Sequence, residues 1–208
     1  MKVLFILTSF HRDENDVINP WMLETIRQLK SRGVAVTVYT SAWRGLGDHE
    51  VCGVPVRRFH YCPRALEILS HERTIPDQLK DNRLKTLLIV PYMFFGLLRL
   101  RKLLKREHFD IVHIHWPIPM AFVGAPAFGK MPVVFRFYSA EIVLAKRYPK
   151  IFSFFLKRYI SKADAISSNS SYTASLIKNF RADVEVIPDA NFFPNAAPKF
   201  SEPLNNTP

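Results

Sequence analysis

Residues 1–40 read MKVLFILTSF HRDENDVINP WMLETIRQLK SRGVAVTVYT, and this stretch decides the fold. Lys2–Thr8 is a short apolar run closed by a polar residue, and Val34–Thr40 is a second run rich in β-branched side chains. Both predict strands, the first one buried. Between them, Pro20–Arg32 carries apolar residues at helical spacing. Asn19 and Pro20 supply a cap and a proline at the first helical position, and Gly33 supplies a stop. Strand, helix and strand in this order make a parallel unit, because the helix must cross the sheet before the second strand can lie beside the first.

The alternation continues along the chain. Val54–Tyr61 predicts a weaker strand, residues 64–82 a polar loop with a short helix, and residues 84–107 a long helix with a candidate break at Pro91. Phe109–His115 and Pro132–Phe137 read as strands, followed by helical segments within 141–161. Ala163–Ser167 is a small-residue strand, Ser170–Phe180 a helix and Val184–Ile187 a last strand. The expected class is α/β, a doubly wound, mostly parallel sheet with helices on both faces. Residues 1–187 form the expected domain, and residues 188–208, rich in Pro and Asn, a tail or interdomain linker. Sheets of this kind bind ligands beyond the carboxyl ends of their strands, which singles out residues 8–19, 113–119, 136–142 and 168–171.

Composition removes several functions. The seven glycines form neither G-x-G-x-x-G nor the Walker A loop, so two common nucleotide cradles are excluded. Cys52 and Cys62 have no metal-ligand spacing; one disulfide is open to them, and two thiols in a reducing cytoplasm is the preferred reading. The five apolar residues of the N-terminal run are too few for a signal peptide or a membrane span. The net charge of +11 is confined to two segments: residues 83–108 hold seven basic residues against one acid, and residues 141–162 hold six against one. No nucleic-acid-binding motif accompanies this charge, so nucleic acid is not an expected partner.

At the strand ends the sequence resembles the N-terminal domain of family 4 glycosyltransferases, retaining enzymes of the two-domain GT-B fold. FDIVHIHWPIP is similar to the family's D-V-V-H-A-H segment, and KMPVVFRFYSAEI stands where K-P-V-V-x-T-x-H-G-x-D is found. ADAISSNSSYTASLI and VEVIPDANFFPNA are similar to A-D-x-I-x-x-x-S-E-Y-T and I-P-N-G-V-D-x-x-x-F-x-P, in the family's order. The departures are a glycine-free loop Ser9–Asn19 with three acids, Tyr138-Ser139-Ala140-Glu141 in place of H-G-x-D, and Asp189-Ala190-Asn191 in place of N-G-V-D. The resemblance implies that this is the acceptor-binding half of an enzyme using a nucleotide-sugar donor. It further implies retention, no obligatory metal, and a C-terminal donor domain beyond these 208 residues. The acceptor it implies is a saccharide or a lipid-linked one, as in polysaccharide or glycolipid biosynthesis. The half by itself is expected to be inactive. The alternative is a non-catalytic, membrane-associated binding or assembly module that needs a separate donor-domain partner.

His115, Trp116, Tyr138 and Glu141 are the acceptor-binding candidates, with Trp116 read either as a sugar-stacking ring or as packing. Arg136, on an otherwise apolar strand, is read either as a phosphate contact or as the partner of Glu141 in an ion pair. Asn19 and Ser170, each at a predicted helix start, complete the phosphate candidates, with capping the default role for Ser170. His113 and His115 share one side of a strand, His113 expected to line the core and His115 the rim; no third ligand stands near enough in sequence to suggest a metal.

LLIVPYMFFGLLRLRKLLKR, wound at 100° per residue, puts Leu97, Leu100, Leu103 and Leu104 on one face. Arg99, Arg101, Lys102, Lys105 and Arg106 take the opposite arc, with Phe94, Phe95 and Leu98 beside them. Lys157 and Arg158 stand among aromatics in PKIFSFFLKRYISK. This is either the pattern of an interfacial helix on an anionic membrane surface or a sheet-packing helix with a solvated basic side. The expected location is cytoplasmic, peripheral at the inner face of the plasma membrane.

Overall fold

The computed structural model describes residues 1–71, 75, 78, 83–138, 141 and 149–189. Its strands are β1 (Lys2–Ile6), β2 (Ala35–Ser41), β3 (His49–Val51), β4 (Val54–Phe59), β5 (Ile111–His115), β6 (Val133–Phe137), β7 (Ala165–Ser168) and β8 (Val184–Val186). Its α-helices are α1 (Pro20–Ser31), α2 (Ile89–Arg106), α3 (Pro117–Gly124), α4 (Pro149–Tyr159) and α5 (Ser171–Lys178). The eight strands form one sheet in the order β3-β4-β2-β1-β5-β6-β7-β8, parallel throughout except for the β3–β4 pair. The chain winds outward from β1 in one direction and then returns to start again at β5. The β1–β5 boundary is therefore the switch point, where loops leave in opposite directions and a crevice opens.

Alternation along the strands feeds two cores. Leu4, Ile6, Val112, Ile114, Val133 and Phe135 face one layer, filled from α2, α3 and α4 by Tyr92, Leu100, Met120, Val123 and Leu156. Val3, Phe5, Leu7, Val36 and Val38 face the other, closed by Met22, Leu23 and Ile26 of α1. Helices thus cover both faces of a mostly parallel sheet, the expected doubly wound architecture. Gly33 ends α1 at φ +79°, a left-handed conformation that the missing side chain permits, with its N–H on the Lys30 carbonyl.

The structure departs from the sequence reading at several elements. β3 and α3 were not anticipated; β3 is three residues long, and prolines 117 and 119 mask the helix. Pro91 does not break α2: a 3₁₀ segment, Arg83–Leu88, precedes the helix and Pro91 falls in its first turn, where a proline costs no hydrogen bond. Asn19 precedes α1 at φ 48° but makes no side-chain cap; its Nδ2 donates to Ser9 Oγ at 3.2 Å instead. Both cysteines are free. The helical reading over 142–148 and the tail from 190 lie outside the described residues. In α1, α2, α4 and α5 the last turn is basic, and none of the four has an acid in its first turn.

Candidate functional site

The carboxyl ends of β1, β5 and β6 carry an aromatic cluster. Trp116 directly follows β5 at φ 51°, its N–H on the Arg136 carbonyl of the neighbouring strand. That turn lays its indole on the Tyr138 ring, with centroids 4.7 Å apart and planes 28° apart. Trp21, from the first turn of α1, closes on both, at 5.2 Å from Tyr138 and 6.0 Å from Trp116. The two indoles are half-buried while Tyr138 is 5% exposed, so the tryptophans form the accessible surface. Trp21 was missed from sequence; its place at the start of the first crossover helix was the available cue.

Beneath this face lies a polar network. The Tyr138 hydroxyl is 2.7 Å from His115 Nδ1 and accepts from Arg136 Nε at 3.0 Å. Arg136 Nη2 donates to the Ile187 carbonyl at 2.8 Å and to Asp189 Oδ1 at 2.7 Å. Arg136 therefore pairs with Asp189, not Glu141. Glu141 is buried and accepts from the N–H groups of Tyr138 at 2.8 Å and Ile118 at 3.2 Å. Burial lifts its carboxyl to about 8 despite those two donors, which favour the charged form. His115 is 1% exposed and His113 half-buried, the reverse of the expected order. Burial, reinforced by Arg136, holds His113 down at about 3; burial, His113 and Arg136 push His115 well below its ordinary value. Both Nε2 atoms are buried, and neither has a partner among the described residues. Ser170 caps α5 by accepting the Thr173 N–H at 3.2 Å.

The loop after β1 is fixed by the chain itself. Arg58, 6% exposed on β4, donates to the carbonyls of Ser41, Phe10 and His11 at 2.8, 3.0 and 2.8 Å, and lies 2.9 Å from His71 Nε2. Burial lowers this guanidinium to about 10, which still leaves it charged at neutral pH. Within the loop, Asp16 accepts from Arg12 and from the Ile18 N–H; burial would raise its carboxyl, but the Arg12 bonds outweigh it and hold the group at about 2. Asp13 accepts the Asn15 N–H at 2.8 Å, so two of the three loop acids are committed to the loop's own structure.

On α2, Phe94, Phe95 and Leu98 are exposed, as are Arg99, Arg101, Lys102, Lys105 and Arg106, while Tyr92, Gly96 and Leu100 are buried. Leu87 and Val90, each 73% exposed, extend the apolar stripe backwards. On α4, Lys157 and Arg158 are exposed beside Phe154, whereas Phe152 is buried against Phe180. Among the described residues no helix is long and apolar enough to cross a membrane, and no group of three or more His, Cys, Asp or Glu could hold a metal ion.

Known proteins share this architecture. The chain is similar to HepE of Anabaena, solved in complex with UDP-glucose, at 12% identity and TM-score 0.53, covering 92% of this chain and 44% of that one. It is also similar to sucrose-phosphate synthase from Thermosynechococcus elongatus, at 11% identity and TM-score 0.59, covering 90% and 47%. The chain therefore spans about half the length of the solved structures it matches. At these identities the likeness shows the fold, the N-terminal half of GT-B. No curated protein matches in sequence. The family model for Glycosyltransferase Family 4 matches residues 19–190, a span running from the cap of α1 to the end of the Arg136–Asp189 network, and the chain belongs to that family.

Proposed function

We propose that this chain is the acceptor-binding half of a glycosyltransferase that moves a sugar from a nucleotide-sugar to a saccharide or lipid-linked acceptor. The aromatic face of Trp21, Trp116 and Tyr138 at the switch point carries this reading. Half-buried indoles offer a flat apolar surface to the C–H face of a sugar ring, with N–H groups at the edge for its hydroxyls. His115 and Glu141 serve the face from behind, one through the Tyr138 hydroxyl and the other through the Tyr138 and Ile118 backbone. Saccharides and lipid-linked saccharides titrated into the protein are expected to perturb tryptophan emission. Trp116→Ala is expected to weaken that binding by about 1 kcal/mol, roughly fivefold. Equal binding by the variant would refute the reading. These residues alone are expected to show no turnover with any nucleotide-sugar.

The outer face of α2 supports a second element, peripheral attachment to an anionic membrane. Its apolar half, from Val90 to Leu98, precedes its basic half, from Arg99 to Arg106. Tyr92, on the buried side of the same apolar turns, reaches the Thr8 carbonyl beyond β1 at 3.5 Å. The apolar patch therefore lies about one helix diameter, roughly 10 Å, from the carboxyl edge of the sheet, which suits an acceptor carried by the bilayer. Each basic residue near such a surface contributes about 1 kcal/mol. Co-sedimentation with phosphatidylglycerol vesicles is expected for the protein and is expected to be lost in Arg101→Glu/Lys102→Glu/Lys105→Glu. Unchanged co-sedimentation in that variant would remove the membrane element and leave the saccharide reading standing.

A further inference from the structure

The segment that leaves β8 is tied to the aromatic face by a continuous set of bonds. The Ile187 N–H donates to the Ser168 carbonyl at 2.9 Å, and its own carbonyl accepts from Arg136 Nη2. Asp189 is held by two side chains, Arg136 Nη2 at 2.7 Å and Asn169 Nδ2 at 3.4 Å. At the other end of the same guanidinium, Nε donates to Tyr138, whose ring carries Trp116. We infer that Asp189 is a positioning residue for the aromatic face: through the Arg136 guanidinium it sets the Tyr138 hydroxyl, and through the Tyr138 ring the seat of Trp116.

The rigidity of the guanidinium makes the coupling physical. Its Nε and Nη atoms share one plane, so the group cannot turn at the Asp189 end without turning at the Tyr138 end. Arg136 is 8% exposed, so losing the carboxylate leaves a buried cation with one Nη2 donor unmatched and the Ile187 carbonyl as its remaining hold at that end, and the group turns towards another acceptor. That rotation withdraws Nε from Tyr138 and leaves the hydroxyl with His115 alone. The ring then loses the bond that fixes its slide against Trp116. The position of the exit segment and the shape of the face thus become one variable, whatever ligand the face takes.

The intact chain carrying Trp43→Phe tests this, because the remaining tryptophans, Trp21 and Trp116, both belong to the face. In that background Asp189→Ala is expected to red-shift the emission, raise the acrylamide quenching constant and weaken the near-ultraviolet circular dichroism. Asp189→Glu is expected to restore all three, which a general loss of stability would not allow. Arg136→Lys keeps the charge but loses the fork, and is expected to loosen the face even with Asp189 in place. Quenching and near-ultraviolet spectra unchanged in Asp189→Ala, or unchanged in Arg136→Lys should Asp189→Ala fail to fold, would overturn the inference. So would failure of Asp189→Glu to restore the signal.

Discussion

Burial raises the Glu141 carboxyl from 4.5 to about 8, and between those values the folded protein holds a proton that the unfolded chain has released. The stability this group contributes is therefore present at low pH and is lost as pH rises through that window, by about 1.4 kcal/mol per pH unit. Glu141→Gln removes the titration but turns an amide NH₂ onto one of two backbone N–H groups, at a cost on the order of 1–3 kcal/mol. Urea denaturation is expected to find the variant less stable near pH 6 and the gap narrower near pH 8.5; a gap independent of pH would contradict the assignment. Glu141, Tyr138, Arg136 and Trp116 were legible in the sequence because each lies within a few residues of a strand end. Their partners were not. Asp189 meets Arg136 across 53 positions and Arg58 meets the loop carbonyls across 47 and 48, and no local pattern encodes a contact made only when distant strands align.

α2 owes its close approach to the sheet to Gly96. The Tyr39 hydroxyl donates to the Gly96 carbonyl at 2.6 Å, and a Cβ there would stand 3.1 Å from Phe59 and 3.2 Å from Val123. Phe59 has little freedom to yield, packed among Tyr39, Tyr61 and Tyr92 with centroids 5.1 to 6.4 Å away. Gly96→Ala gains about 1 kcal/mol of helix propensity but overpacks this junction by about 1–3 kcal/mol. Thermal melts are expected to show a net loss; a higher melting temperature would mean that Phe59 moves freely. The central strands and α1 were legible because buried strands demand continuous apolar runs and α1 carries both its boundary residues. The short antiparallel β3 and the proline-marked α3 were not, since three residues show no period and two prolines argue locally against a helix.

At the scale of the whole molecule, proton linkage is dominated by histidine. Burial lowers His71 and His113 to about 3 and holds His115 well below its ordinary value, so these three stay neutral in the fold while the unfolded chain charges them below about 6.5; burial lowers His11 in the same direction. Below that point the unfolded chain binds up to four protons that the folded state does not, while the folded state holds one extra at Glu141, in place since about pH 8. Each is worth about 1.4 kcal/mol per pH unit, so stability falls as the pH drops. Melting temperatures are expected to decline steadily from about pH 6.5 to about pH 4.5, and a flat profile there would contradict the burial of these rings. The same scale gives meaning to the helix ends. Helices that cross back over a parallel sheet start at the carboxyl edge of the strands and finish at the amino edge. The basic last turns of α1, α2, α4 and α5 quench the negative poles at the amino edge, and no acid in any first turn quenches the positive ones. α1 begins beside the aromatic face, to which Trp21 of its first turn belongs, so its backbone points an unmasked positive pole there, a standing field that favours negatively charged ligands before any side chain touches them.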